Sequence, residues 1–220
     1  ISGLSDGYYL IQDKAGTLNE KNDAYTSFIL KIIGADVTVA PKSTQPTVDK
    51  KIQDETGDAE AGATEGWGNT ADHDINESFQ FKLDANIPAE ANLADYKTYE
   101  VKFNDTMSKG VTFESIASVK VNGNNGTAAK TWTLANTDYT ATTPAAAEDG
   151  TQSWSLTIDD VIAKCEGIKI AQGFTVEVIY NAHLNEKATI NNASGTTDNK
   201  NSVNLEYSNN PNAEGTGKTE

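Results

Sequence analysis

The chain has 220 residues, enough for one large or two modest domains, and 32 acidic against 17 basic residues give a formal net charge of −15. This charge disfavours nucleic acid and anionic membranes as partners, and no apolar run is long enough to insert into a bilayer. The single cysteine excludes a disulfide within the chain. His73 and His183 lack the spacing of metal ligands, so we expect no metal, and we also expect no cofactor.

The first 43 residues carry three predicted strands, GYYLIQD, YTSFILKII and DVTVAPK, separated by polar turn residues. Three strands make a poor domain by themselves, so residues 1–43 are predicted to be the C-terminal part of an upstream β domain. The polar, proline-containing segment KSTQPT, residues 42–47, is predicted to be the boundary to the next domain.

Residues 46–220 predict a second domain built from about eight strands with turn residues between them. Two short helices are predicted in its connections, over 89–96 and 159–165, the second with Asp159 as its N-cap. We therefore predict an all-β, immunoglobulin-like sandwich of two sheets. The predicted strands are KKIQD, ESFQFKLDANI, YKTYEVKFND, VTFESIASVKVNG, KTWTLANTDYTAT, SWSLTI, GFTVEVIYNAHLN and NSVNLEYSN.

Three of these strands carry a polar side chain on an otherwise apolar face. Successive side chains of a strand point to opposite faces, so VDKKI places Lys50 on the side of its valine and isoleucine. The same alternation places Asp105 in phase with the apolar residues of YEVKFND, and Asn201 in phase with those of NSVNLEY. An amine, a carboxyl and a carboxamide are thus predicted to point into one core.

The simpler explanation of this pattern is a buried salt bridge between Lys50 and Asp105, although such pairs often contribute no net stability. The asparagine allows a second explanation, in which the amine of Lys50 condenses with the amide of Asn201 to form an isopeptide bond and release ammonia. Burial lowers the pKa of a lysine and raises that of a carboxyl, so Asp105 could remain protonated and shuttle protons.

Neighbouring residues provide rivals for the two bonded positions. A slip of one residue turns a side chain to the other face, which argues against Lys51. Asn199 stays in phase with Asn201 and is therefore an open alternative. Glu177 in FTVEV is the alternative acid, although the apolar residues of its strand occupy the opposite phase.

The segments PTVDKKIQDE, YEVKFNDTMSKGVTF and NSVNLEYSNNPN together resemble the second domain of sortase-assembled backbone pilins of Gram-positive bacteria. The resemblance covers nearly all of 46–220 and implies a CNA-type immunoglobulin-like fold. It also implies that Lys50 and Asn201 are the crosslinked pair and that Asp105 is the assisting acid. The chain would then be a structural shaft subunit, not a turnover enzyme.

The first segment is similar to the end of a pilin N-terminal domain, where a V-x-V-Y-P-K motif offers a lysine to a sortase. In DVTVAPKS this lysine is Lys42, and Ala40 stands where the motif has tyrosine. The resemblance implies that a class C sortase joins Lys42 to another pilin subunit, in a pilus attached to the cell wall outside the cell. The alternative for Lys42 is an ordinary solvated lysine of a linker.

Two other functions remain open for the same fold. A host-binding adhesin domain could recognise extracellular matrix or glycan, and a stalk domain of a wall-anchored surface protein would not polymerise at all. Binding of collagen, fibrinogen or glycans by the isolated chain would favour the adhesin, and incorporation into polymers through Lys42 would favour the shaft.

Overall fold

A computed structural model describes residues 4–14, 27–34, 45–54, 66–189, 199–211 and 216–218. The third predicted strand of the first segment, residues 36–42, lies outside the described residues. The described residues form fourteen strands and few helical turns, which confirms the predicted all-β class. In chain order the strands are β1 (Gly7–Gln12), β2 (Ser27–Ile32), β3 (Thr47–Gln53), β4 (Trp67–Gly68), β5 (Ser78–Ile87), β6 (Val101–Met107), β7 (Val111–Asn124), β8 (Ala129–Thr133), β9 (Thr140–Ala141), β10 (Ala145–Ala146), β11 (Gln152–Ile158), β12 (Phe174–Leu184), β13 (Asn201–Ser208) and β14 (Thr216–Lys218).

Strands β1 and β2 form an antiparallel pair of their own, with Gly7 opposite Ile32 and Gln12 opposite Ser27. One face of this pair carries exposed apolar side chains, among them Leu10 and Ile29. The assignment of residues 1–43 to an upstream domain and of 46–220 to a second domain stays a prediction.

The remaining strands form two sheets that pack face to face as an immunoglobulin-like sandwich. Sheet 1 has the order β4-β3-β5-β12-β7-β8, and sheet 2 has the order β10-β11-β6-β13-β14, with β9 also paired to β11. All of these neighbours run antiparallel. The first and last long strands of the sandwich, β3 and β13, lie in different sheets and contact each other.

Alternation along the strands builds the core between the sheets. Every second residue of β5 from Phe79 to Ile87 is buried, and the same period of two holds for β6 and β12. Residues of this phase from both sheets form one continuous apolar cluster. None of the helices in the described ranges is long and apolar enough to cross a membrane.

The predicted helices are present only as single turns. The segment 89–96 contains a 3₁₀ helix, Ala91–Asp95, and the segment 159–165 contains an α-helix of four residues, α1 (Val161–Lys164). The prediction of Asp159 as N-cap is wrong, because Asp160 caps this helix. Asp160 Oδ1 accepts hydrogen bonds from the backbone N–H of Ile162 at 2.9 Å and from that of Tyr99 at 3.1 Å.

Because Asp160 accepts two backbone hydrogen bonds, its substitution should destabilise the protein more than substitution of the adjacent Asp159. Asp160→Ala should lower the free energy of unfolding by about 1–2 kcal/mol, because two backbone N–H groups lose their acceptor. Asp159→Ala, which removes an exposed neighbour, should change it by less than about 0.5 kcal/mol. Urea denaturation of both variants measures the difference, and equal effects would contradict the assignment of the cap.

Candidate functional site

Lys50 enters the sandwich from the middle of β3. Its register partner on β5 is Leu83, which is fully buried, so Lys50 occupies the inward phase of the strand. The next residue, Lys51, lies on the outer face, where its Nζ donates a hydrogen bond to Asn69 Oδ1 at 2.6 Å. The structure thus separates the two adjacent lysines by the alternation on which the sequence prediction rested.

Asp105 reaches the same place from sheet 2. It lies on the central strand β6, in phase with the buried Phe103 and Met107, and it is 1% exposed. Lys50 Nζ donates a hydrogen bond to Asp105 Oδ2, and only 10% of the lysine side chain is exposed. A charged pair therefore joins the two sheets through the apolar core.

The surroundings of this pair disfavour charge on both partners. Burial lowers the pKa of Lys50 from 10.5 to about 8, although the neighbouring charge of Asp105 acts in the opposite direction. Burial also raises the pKa of Asp105, against the opposing effect of Lys50. Since both shifts favour the uncharged form, a proton can pass from the lysine to the aspartate at a reduced free-energy cost, leaving a neutral, nucleophilic amine.

Two aromatic rings of sheet 1 lie against the amine, and a ring of sheet 2 packs behind them. Lys50 Nζ lies 4.9 Å from the ring centre of Phe81 and 5.5 Å from that of Tyr180. Trp154 of β11 stands edge-on to Tyr180, with ring centres 5.0 Å apart. The indole lies close enough to Asp105 to favour its carboxylate form, but its Nε1 makes no ordinary hydrogen bond among the described residues. These rings keep water away from the pair.

Asn201, the first residue of β13, reaches the site through Tyr180. Its Nδ2 donates a hydrogen bond to the Tyr180 hydroxyl at 2.6 Å, and that hydroxyl lies 3.3 Å from Asp105 Oδ2. In the described part of the chain, the buried Asn201 Oδ1 has no hydrogen-bond partner. The structure therefore brings the three predicted residues together along the path Lys50–Asp105–Tyr180–Asn201.

Sequence reasoning missed Tyr180, although a signal was present. The phase of β12 that turns Glu177 outward turns Tyr180 inward, together with Val176 and Val178. The Tyr180 hydroxyl is therefore a polar group on the inward face of β12, just as Lys50 is a polar group on the inward face of β3. A tyrosine also fits a core as an apolar ring, so its hydroxyl drew no separate interpretation.

The structure places the two rivals elsewhere. Asn199 lies before the start of β13, and its side chain exchanges two hydrogen bonds of 3.0 Å with the backbone of Thr189. Glu177 faces outward, with Oε1 3.5 Å from Lys120 Nζ. Lys42, together with Ala40, lies outside the described residues, so its role stays a prediction.

The outer face of the same strands carries a second lysine–acid–amide cluster. Lys102 Nζ lies 3.1 Å from Glu206 Oε2, and Asn104 Nδ2 donates to Glu206 Oε1 at 3.0 Å and to Asn204 Oδ1 at 3.1 Å. The Lys102 and Glu206 side chains are 31% and 22% exposed. This cluster has the functional groups of the core site without its burial.

Comparison with protein families identifies the chain. The model of the Gram-positive pilin backbone subunit 2, Cna-B-like domain, matches residues 75–211, which is more than half of the chain. The chain belongs to this family of Gram-positive backbone pilins. The matched range contains Asp105, Tyr180 and Asn201, whereas Lys50 lies before it.

Solved structures of major pilins share the fold. The full-length major pilin SpaD from Corynebacterium diphtheriae is 21% identical, with a TM-score of 0.56 over 99% of this chain and 45% of its own. The T6 backbone pilin of serotype M6 Streptococcus pyogenes is 17% identical, with a TM-score of 0.53 over 99% of this chain and 44% of its own. The chain thus spans less than half the length of either pilin. No curated protein sequence matches it.

Titration of Lys50 should be visible once the amide is removed. In an Asn201→Ala variant the lysine cannot be bonded, and its pKa is about 8 when folded against 10.5 in its ordinary state. Between these two pH values the unfolded chain binds one more proton than the folded chain, so the free energy of unfolding should rise as the pH increases from 8 towards 10.5. This gain in stability is lost again as the pH falls through about 8, where the folded lysine also becomes charged. Denaturant unfolding at a series of pH values measures the slope.

Other lysines and tyrosines titrate in the same range, so the matched control is the double variant Lys50→Met, Asn201→Ala. The difference in unfolding free energy between the two variants isolates Lys50. A difference independent of pH would contradict the shifted pKa.

Proposed function

We propose that this chain is part of a pilus shaft subunit that strengthens itself with an isopeptide bond between Lys50 and Asn201. The bond forms once per molecule, with Asp105 as the assisting acid, so the protein is structural and no turnover enzyme. The observation that carries this proposal is the buried hydrogen-bonded path from Lys50 through Asp105 and Tyr180 to Asn201.

The chemistry begins with the buried ion pair. The Lys50 ammonium transfers a proton to the Asp105 carboxylate, and the neutral amine then attacks Cγ of Asn201. The C–Nδ2 bond breaks as the new C–Nζ bond forms, and a proton from the attacking nitrogen replaces the one that Asp105 delivers to the departing ammonia. The fold supplies the proximity that a reaction between separate molecules would lack.

The bond would connect the two sheets of the sandwich and its first and last long strands. Lys50 and Asn201 lie 151 positions apart along the chain. The chain-entropy model assigns a crosslink over such a loop a stabilisation of about 5 kcal/mol. Force applied along the shaft would enter near β3 and leave after β13, so the bond would carry the load in place of backbone hydrogen bonds.

Assembly of the shaft is the second part of the proposal. Lys42 would attack an acyl intermediate that a class C sortase holds on another subunit, which would join pilin subunits head to tail. The product would be an extracellular pilus attached to the cell wall. Membership of the backbone pilin family supports this assignment.

The crosslink predicts a mass change. The intact mass of the purified chain should be smaller than the sequence mass by one ammonia, and a tryptic digest should contain a branched peptide with Lys50 and Asn201. Asp105→Ala and the isosteric Asp105→Asn should restore the full mass. Loss of the bond should lower the melting temperature by roughly 10–20 °C.

Matched controls come from the rivals Lys51 and Asn199 and from the outer-face cluster. Lys51→Ala, Asn199→Ala and Lys102→Ala should each keep the mass deficit, because these residues lie outside the buried path. A wild-type chain with the full sequence mass would refute the crosslink, and a branched peptide through Asn199 would move it to the rival position.

The proposed role of Lys42 in polymerisation predicts a loss of pilus polymers when this lysine is replaced. In cells that carry the full subunit and its class C sortase, Lys42→Ala should abolish the ladder of high-mass polymers on a denaturing gel. Lys51→Ala serves as the control for a partly exposed lysine near it in the sequence and should leave the ladder unchanged. A normal ladder from the Lys42 variant would show that another lysine is joined.

A further inference from the structure

Tyr180 stands between the acid and the amide of the proposed crosslink. Its hydroxyl lies 3.3 Å from Asp105 Oδ2 and 2.6 Å from Asn201 Nδ2. Throughout the described part of the chain, Asp105 has no direct hydrogen bond to Asn201; its side chain accepts from Lys50 and Tyr180. The acid therefore reaches the nitrogen that must leave only by way of the phenol.

The direction of these hydrogen bonds determines what the phenol can do. A hydroxyl has one proton to donate and lone pairs that accept. Tyr180 donates to Asp105 and accepts from the Asn201 amide, so Nδ2 of the amide faces the phenol. This places the leaving group, and not the amide oxygen, on the side of the acid.

The phenol is held in this position by its surroundings. Tyr180 is fully buried, and its ring packs against Phe81, Phe113 and Trp154 with ring centres 5.0–5.6 Å apart. The register between β12 and β7 shifts on both sides of Tyr180, after Ile179 and again after Asn181. Such irregularities re-aim individual side chains within a sheet. The hydroxyl is thus preorganised for the reaction.

We propose that the Tyr180 hydroxyl orients the Asn201 amide and relays the proton from Asp105 to the departing nitrogen. After the Lys50 amine has attacked Cγ, the Tyr180 O–H gives its proton to Nδ2 and takes one from the protonated Asp105. Asp105 recovers a proton from the attacking nitrogen, and ammonia leaves. Tyr180 ends as it began, and no oxidant or further reactant is needed. This inference rests on the proposed crosslink.

The test compares Tyr180→Phe with Tyr99→Phe. Both remove one hydroxyl from a buried tyrosine and keep the ring, but only the first interrupts the path. Chains that have not yet folded are recovered in urea from insoluble material, and their full sequence mass is verified. They are then released by dilution and sampled over time by intact mass. Tyr180→Phe should slow the loss of ammonia by about 100-fold or more, the usual contribution of a positioned proton donor. Tyr99→Phe should react at the wild-type rate.

A second variant covers the case in which Tyr180→Phe fails to fold. Replacement of Tyr180 by a ring-fluorinated tyrosine keeps the shape and makes the phenol more acidic. A rate and pH profile that change with this acidity support the relay, because a hydroxyl that only fills space would leave both unchanged. An unchanged rate and profile overturn it.

The outcomes separate the relay from the crosslink itself. If wild type loses ammonia and Tyr180→Phe does so equally fast, the relay is wrong and the crosslink stands. If wild type keeps its full mass, both are wrong. If only Tyr180→Phe is slow while its circular dichroism matches wild type, both are supported.

Discussion

The contact between Lys50 and Asp105 is the constraint on which this domain depends. Removing two charges from water is costly, and an apolar replacement of such a pair is often as stable or more so. The pair joins two sheets and is enclosed by aromatic rings, so its cost is not relieved by solvent. The proposed bond would remove this desolvation cost, because it would turn the Lys50 amine into a neutral amide and allow Asp105 to remain protonated. In the proposed reaction, a pair that is poor as a salt bridge serves as a reactant and its assisting acid.

The outer face of the same strands shows why burial matters. Lys102, Glu206 and Asn104 bring an amine, a carboxylate and an amide into contact, as the core site does. Solvent reaches this cluster, because the Lys102 and Glu206 side chains are 31% and 22% exposed, so its ion pair is hydrated and pays little for desolvation. The two clusters therefore share their functional groups and differ in burial, which is the property on which the proposed chemistry depends.

Much of the candidate site follows from strand alternation. A period of two in VDKKI, YEVKFND and NSVNLEY turns Lys50, Asp105 and Asn201 inward, and the structure places all three on that face. The rule is weaker at strand ends: Asn199 shares the phase of Asn201 but precedes β13, where its side chain binds the Thr189 backbone. Alternation also turns Tyr180 inward, but it gave no sign of a role for the hydroxyl, since a tyrosine on an apolar face looks like an ordinary core residue. The N-cap was misplaced by one residue because Asp160 also accepts from Tyr99, a contact that no local pattern contains.

The sequence by itself determined the all-β class, the inward phase of each long strand and the chemical groups available to the core. These properties are local, because backbone sterics make successive side chains of any strand alternate. Only the tertiary structure decided that Lys50 and Asn201 belong to opposite sheets, that Asp105 lies on the strand beside Asn201, and that Tyr180 connects them. Strand order depends on contacts between residues far apart in the chain, and these are set by how two whole sheets pack against each other.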